Sequence, residues 1–138
     1  MADIALTMRN LNLDRLIDLS VDFLVQNTLT DIYSQEEFHS ILVREKARAD
    51  RTGQGFSVVT IEVFSLQDVT SFVKHLQQRI RASDDIGWFD YNKLGIFLFN
   101  TAALGASQFV NKCRENMGDG FSSFKCSVYS YPNEWCDF

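Results

Sequence analysis

The segment Phe56 to Phe64, FSVVTIEVF, is almost continuously apolar and rich in β-branched and aromatic residues, with Glu62 as its charged interruption. A strand with one wet face alternates apolar and polar side chains, whereas an unbroken run belongs at the centre of a sheet covered on both faces. The rest of the chain must then supply strands to flank it and helices to cover it. With 138 residues, 46% of them hydrophobic and 13% aromatic, the chain has apolar material for one such core and not for two.

The flanking sequence meets that demand. Ser34 is placed to cap a helix whose capping box Glu37 completes. This helix runs to about Arg51, buries Phe38, Ile41, Leu42 and Ala49, and ends at Gly53 and Gly55. Gln67 to Ile80 carries Val69, Phe72, Val73, Leu76 and Ile80 at helical spacing. Trp88-Phe89 and the run Leu94 to Phe99 read as two strands of a hairpin, joined by the turn-forming residues Asp90-Tyr91-Asn92. Thr101 can cap a further helix containing Leu104, Phe109 and Val110, which Met117-Gly118-Asp119-Gly120 stops. Phe124 to Tyr131 alternates, placing Phe124, Cys126, Val128 and Ser130 on one face and Lys125, Ser127, Tyr129 and Tyr131 on the other. From Phe56 onward the order is β-α-β-β-α-β. It predicts an α+β fold, a ferredoxin-like antiparallel sheet with helices on one face, preceded by two N-terminal helices.

The first of those helices divides the chain into residues 1–26, an N-terminal signalling or dimerising helix, and residues 27–138, the globular domain. Asp14, Asp18 and Asp22 form an acidic stripe at helical period, which is the solvated face of such a helix rather than a catalytic cluster. Leu13, Leu16, Ile17 and Leu24 are free to meet another chain or to pack on the domain's own sheet, and both readings stand.

Several function classes are excluded. The longest apolar stretches fall short of the roughly 18 to 20 residues a membrane span requires, and the N-terminus has no basic region followed by an apolar secretion segment. A cytoplasmic protein without direct membrane insertion is expected. Cys113, Cys126 and Cys136 form neither a C-x-x-C pair nor a cluster with histidine, so reduced thiols are expected, with no metal and no cofactor. A net charge of -5 argues against a nucleic-acid partner. His39 and His75 fall in predicted helices as solvated residues rather than catalytic ones. Glu62 with Asp84, Asp85 and Asp90 could in principle hold a hard cation, although acids at strand ends and turns are ordinary structure. Trp88, Phe89 and Tyr91 offer an aromatic contact patch, but alternation turns at least one of them into the core.

The order of elements and several motifs resemble the GGDEF domain, the bacterial diguanylate cyclase module that makes cyclic di-GMP from GTP. The family's opening D-x-L-T-G-L-x-N-R-x-x-F aligns with Asn27 to Phe38, which keeps Leu29, Thr30 and Phe38. Its first strand ends in D-I-D-x-F; Thr60-Ile61-Glu62-Val63-Phe64 retains an acid only at the second metal-binding position. Phosphoryl chemistry on GTP needs paired carboxylates to hold magnesium ions that offset charge on the attacking and leaving oxygens, which Glu62 alone cannot supply. The interval from Thr60 to Arg81 is also too short for the family's asparagine- and glycine-rich nucleotide pocket. The signature itself falls on Asp90-Tyr91-Asn92-Lys93-Leu94, where both glycines and both acids are replaced. Gly95-Ile96-Phe97-Leu98-Phe99-Asn100-Thr101 resembles the strand and helix start that follow. The resemblance implies the fold without the cyclase.

One functional element of the family is present in letter. Many GGDEF domains bind cyclic di-GMP at an inhibitory R-x-x-D site upstream of the signature, and Arg81-Ala82-Ser83-Asp84 has that sequence and offset. An arginine fork can engage phosphate or a guanine edge with parallel hydrogen bonds, the carboxylate can accept from guanine N–H groups, and Arg79 adds charge. The same four residues also read as a helix end followed by a turn. The tract Asp84 to Asp90, DDIGWFD, further resembles degenerate GGDEF-like domains that accompany bacterial sugar transferases in exopolysaccharide production.

Together these imply a catalytically inactive regulatory or interaction domain, a receptor for cyclic di-GMP through Arg81 and Asp84, with a protein or a second copy of itself as partner. The alternative is an enzyme, with residual GTP processing through Glu62 or an unrelated reaction on the same fold.

Overall fold

The computed structural model describes residues 32–117 and 124–135. The N-terminal helix expected at residues 11–25 and Cys136 lie outside the described residues.

Helix α1, Gln35–Thr52, starts where Ser34 provides both halves of a capping box. The Ser34 hydroxyl oxygen accepts from the Glu37 backbone N–H at 3.1 Å, and the Glu37 carboxylate accepts from the Ser34 N–H at 3.0 Å. It ends at Gly53, whose φ of 78° is left-handed and whose N–H bonds back to the Ala49 carbonyl. The chain then forms β1 (Phe56–Glu62), α2 (Leu66–Gln77), β2 (Asp85–Asp90), β3 (Lys93–Phe99), α3 (Ala103–Met117) and β4 (Cys126–Tyr131). The strands make one antiparallel sheet in the order β2-β3-β1-β4, the ferredoxin-like arrangement.

β1 is central, as its unbroken apolar run requires. Its odd positions Val59 and Ile61 join Ile86, Trp88, Leu94, Ile96 and Leu98 beneath α2 and α3, which contribute Val69, Phe72, Val73, Leu76, Ala106, Val110 and Cys113. Its even positions Phe56 and Val58 meet Phe97 and, from α1, Phe38, Leu42 and Ala49. Helices α2 and α3 therefore share one face of the sheet, and α1 covers the other. The β2 edge is partly closed by the segment before α1: Tyr33 bridges Gly87 in parallel, giving its N–H to the Ile86 carbonyl and accepting from the Trp88 N–H.

Some boundaries differ from the sequence reading. β1 stops at Glu62 rather than Phe64, because β3 begins at its partner Lys93 and β4 at Cys126, so the ladder runs out on both sides. Phe64 is 69% exposed and stacks on Phe124. α2 ends at Gln77, and Gln78, Arg79 and Ile80 continue as tight turns onto the carbonyls of His75 and Leu76. Thr101 does not cap α3. Its hydroxyl donates to the Phe99 carbonyl at 2.9 Å, and the first helical bond runs from the Ala106 N–H to the Ala102 carbonyl. The hairpin turn is Tyr91-Asn92 alone, with Asp90 closing β2 and its carboxylate accepting from the Tyr91 N–H. The aromatic run divides: Trp88 is buried in the core, Phe89 is half-buried and stacks on Tyr129, and Tyr91 is exposed.

Candidate functional site

The loop that leaves α2 folds back so that Asp84 gives its N–H to the Arg81 carbonyl, closing a tight turn. Asp84 is the anchor of this turn. Its Oδ2 accepts from the Arg81 backbone N–H at 3.0 Å and from Arg81 Nε at 3.2 Å. Its Oδ1 accepts from Arg81 Nη2 at 3.2 Å and from the Phe99 N–H at 2.9 Å. The Asp84 side chain is 2% exposed; a carboxylate removed from water to that degree is tolerable because every lone-pair direction meets an N–H donor, two of them charged. Arg81, with its side chain 57% exposed, spans onward from Nη2 to the Phe99 carbonyl at 2.7 Å and the Thr101 hydroxyl at 3.0 Å. These bonds use Nε and Nη2, and none uses Nη1.

The pair helps line an open groove of about 500 Å³ between the turn that follows α2 and the face of α3. Gln78 and Arg79 line it from the turn after α2, Leu98 forms its floor, and Gly105, Gln108, Phe109 and Lys112 form the α3 wall. Those α3 positions recur at helical spacing, so one helix face serves the groove. Among the described residues, three cations, Arg79, Arg81 and Lys112, thus converge on a groove whose one acid is occupied by Arg81, in a chain of net charge -5. Arg79 Nε also donates to His75 Nε2 at 3.3 Å, and burial followed by the Arg79 charge holds the His75 imidazolium below its usual pKa. A second cleft of about 460 Å³, between the ends of β1, β3 and β4, is lined by no lysine or arginine among the described residues.

The structure brings together Arg79, Arg81 and Asp84 and adds Lys112, Gln108 and Gln78, which the sequence reading missed. Lys112 had a signal: it lies one turn beyond Gln108 on the polar side of an amphipathic helix. Also missed is Glu45 of α1, buried between Leu42 and Ala49 in the helical series and paired with Arg44 and Arg48 at 3.4 Å.

Solved structures share this architecture. A diguanylate cyclase protein from Thermotoga maritima superposes with a TM-score of 0.67 at 15% identity, covering 79% of this chain and 88% of that one. The fold is that of a GGDEF domain. The diguanylate cyclase SiaD of Pseudomonas aeruginosa, in complex with its activator SiaC, gives a TM-score of 0.56 at 17% identity, covering 94% of this chain and 57% of that one. A microbial GGDEF domain in a novel interaction mode with cyclic di-GMP gives 0.53 at 16% identity, covering 75% of this chain and 74% of that one. No family model matches the sequence, and no curated protein matches it.

The five residues on which the sequence resemblance places the signature run from the last residue of β2 through the turn into β3. Asp90 caps the turn, Tyr91 is exposed, and the Asn92 carbonyl accepts from the Val63 N–H. Lys93 opens β3 opposite Glu62, and Leu94 is buried opposite Ile61 and Trp88. Thr60 is buried in register with Gly95 and Ser127. The cation-site grouping of Glu62 with Asp84, Asp85 and Asp90 does not assemble: Asp85 pairs with Phe97, several rungs from the Glu62–Lys93 pair, Asp84 is sealed by Arg81, and Asp90 is turned to its own loop. Among the described residues no group of three or more His, Cys, Asp or Glu side chains is placed to hold a metal ion. Among those residues, too, no helix is long and apolar enough to cross a membrane. His39 is exposed and His75 half-buried. Cys113 and Cys126 are free thiols, and burial pushes Cys113 up to about 11.

Proposed function

We propose that this GGDEF-like domain is a regulatory domain without cyclase activity that binds cyclic di-GMP in the groove between the turn after α2 and α3. The observation that carries the reading is the convergence of Arg79 and Arg81, from the connection after α2, and Lys112, from α3, on one groove of about 500 Å³, a cationic focus suited to a doubly charged phosphodiester ring. The absence of turnover is supported by the β1–β3 ladder, which sets Lys93 opposite Glu62 and buries Thr60 opposite Gly95 where the family carries metal-binding acids. A lysine beside the remaining acid opposes the binding of magnesium that phosphoryl transfer from GTP requires. The domain works in the cytoplasm in bacterial signalling, beside the exopolysaccharide sugar transferases that its Asp84 to Asp90 tract suggests. It acts there through a protein partner or a second copy of itself, as the SiaD complex with SiaC illustrates for another domain of this fold.

Calorimetric titration with cyclic di-GMP tests the binding. Micromolar or tighter affinity that Arg81→Ala and Lys112→Ala both abolish supports it, and absence of heat at high nucleotide concentration overturns it. A turnover assay with GTP and magnesium tests the second half; formation of cyclic di-GMP, lost in Glu62→Ala, would show an active cyclase.

A further inference from the structure

Gln108, Phe109 and Lys112 form one stripe along α3 and one wall of the groove. The stripe is mixed in kind: an amide, an aromatic ring half-buried against the core, and an ammonium, with Gln108 and Lys112 exposed. The opposite wall, the connection after α2, carries the guanidinium groups of Arg79 and Arg81. Phosphate oxygens call for charged donors and have no use for a ring or an amide oxygen, whereas a purine presents a flat face, acceptors and N–H donors together. The two walls therefore suit different parts of a nucleotide, the arginines its phosphates and the α3 stripe its base. Asp84 also lines the groove, but its side chain is 2% exposed and already accepts from four N–H donors. The acceptor that the α3 stripe offers a base is the amide oxygen of Gln108, with Gln78 supplying a second amide from across the groove.

An amide alone does not choose between the purines. Its oxygen and NH₂ pair with the N1–H and O6 of guanine, and turned over they pair with the 6-amino group and a ring nitrogen of adenine. An ammonium does choose, because it has three donors and no acceptor. At position 6 of the base it bonds the oxygen of guanine and meets in adenine an amino group that is itself a donor. Residues 108 and 112 lie one helical turn apart on the same face, about 6 Å between Cβ atoms, close enough for one base edge to meet both. We infer that Lys112 is the residue by which this groove selects guanine over adenine, with Gln108 bonding the base beside it and the arginines of the opposite wall holding the phosphates. The inference rests on the receptor reading above and deepens it: base identity is read from α3, and not by the Asp84 carboxylate.

The experiment is parallel titration of the intact protein with cyclic di-GMP and cyclic di-AMP, repeated on Lys112→Gln, Gln108→Leu and Arg79→Ala, all at exposed positions. The wild-type protein is expected to prefer cyclic di-GMP by at least about fivefold, the lower end of what one well-placed base contact discriminates. Lys112→Gln should cut that preference by about threefold or more, whereas Gln108→Leu and Arg79→Ala should weaken both nucleotides by a common factor and leave their ratio in place. A wild-type preference below about fivefold overturns the inference while leaving the receptor reading in place. So does a preference that survives Lys112→Gln, or one that Gln108→Leu or Arg79→Ala removes instead. If neither nucleotide binds, both readings fall. Should Lys112→Gln fail to fold, Lys112→Met, which keeps the apolar stem and removes the ammonium, carries the same expectation.

Discussion

The Phe38 ring of α1 packs directly on Gly95 of β3: a Cβ at Gly95 would come within 2.7 Å of that ring. Gly95 pairs across the ladder with Gly87, where a Cβ would come within 2.6 Å of the same ring. The two glycines form a seat in the sheet, and α1 docks at the height that seat allows. Side-chain-bearing residues at either position would lift the helix. Gly95→Ala should therefore destabilise the domain by roughly 1–3 kcal/mol, the usual cost of overpacking a closed core, measured as a lowered urea midpoint. An unchanged midpoint would mean that α1 shifts freely.

Asp84 should matter to the fold more than Arg81 does. Removing its carboxylate in Asp84→Ala leaves the Phe99 N–H and the Arg81 N–H without an acceptor where the turn is partly buried, and strips the Arg81 side chain of its anchor, at roughly 2–4 kcal/mol in all. Arg81→Ala removes an exposed side chain and four bonds, two to the Asp84 carboxylate and one each to the Phe99 carbonyl and Thr101, but leaves Asp84 its two backbone donors, at about 1–2 kcal/mol. Denaturant titration of both variants gives the order, and the reverse order would place the anchor on Arg81.

The capping box gives a local test of α1. Ser34→Ala removes the acceptor for the Glu37 N–H and is expected to lower stability by about 1 kcal/mol. The backbone bond from Ser34 to the Glu37 carboxylate holds that carboxyl below its ordinary value of 4.5. A lowered carboxylate contributes stability that is complete above the unfolded value and is lost as pH falls through the folded one. Glu37→Gln should flatten the acid limb of the stability profile below about pH 4.5, in thermal melts from pH 3 to 7.

His75 predicts a second pH effect. Its imidazolium is held below the ordinary value of 6.5, first by burial and then by Arg79, and the bond from Arg79 Nε requires His75 Nε2 to be unprotonated. In the unfolded chain the ring takes up its proton near 6.5 and in the folded chain only at lower pH, so stability is full above about 6.5 and declines as pH falls from there. The same protonation breaks the bond that orients Arg79 toward the groove. His75→Gln should remove this decline between about pH 6.5 and 5; if the melts of both proteins follow the same curve, His75 does not titrate against the fold.

The cysteines are expected to be slow. Burial pushes Cys113 up to about 11 and raises Cys126 as well, so the reactive thiolate is scarce at neutral pH. Thiol titration with an aromatic disulfide reagent should leave Cys113 unmodified in native buffer and modify it in denaturant; fast native labelling would show that α3 opens.

What the sequence determined by itself is the set of elements. The unbroken apolar run of β1, the Ser34 and Glu37 capping box, Gly53 at the end of α1, the helical spacing through Val69, Phe72, Val73 and Leu76, and the alternation of β4 are local patterns, because helix and strand periodicity and cap chemistry are local physics. The tertiary structure decided where those elements end and which side chains meet. β1 ends at Glu62 because its neighbours begin there. The Thr101 hydroxyl bonds the Phe99 carbonyl instead of capping α3, and Lys112 shares a groove with Arg81 because the fold sets α3 beside the turn that follows α2. Arg81 and Asp84 were visible as letters, but whether Asp84 could face a ligand depended on the Phe99 N–H, fifteen residues downstream. Hydrogen-bond satisfaction across the fold is a property of three-dimensional neighbours, and no spacing along one chain specifies it.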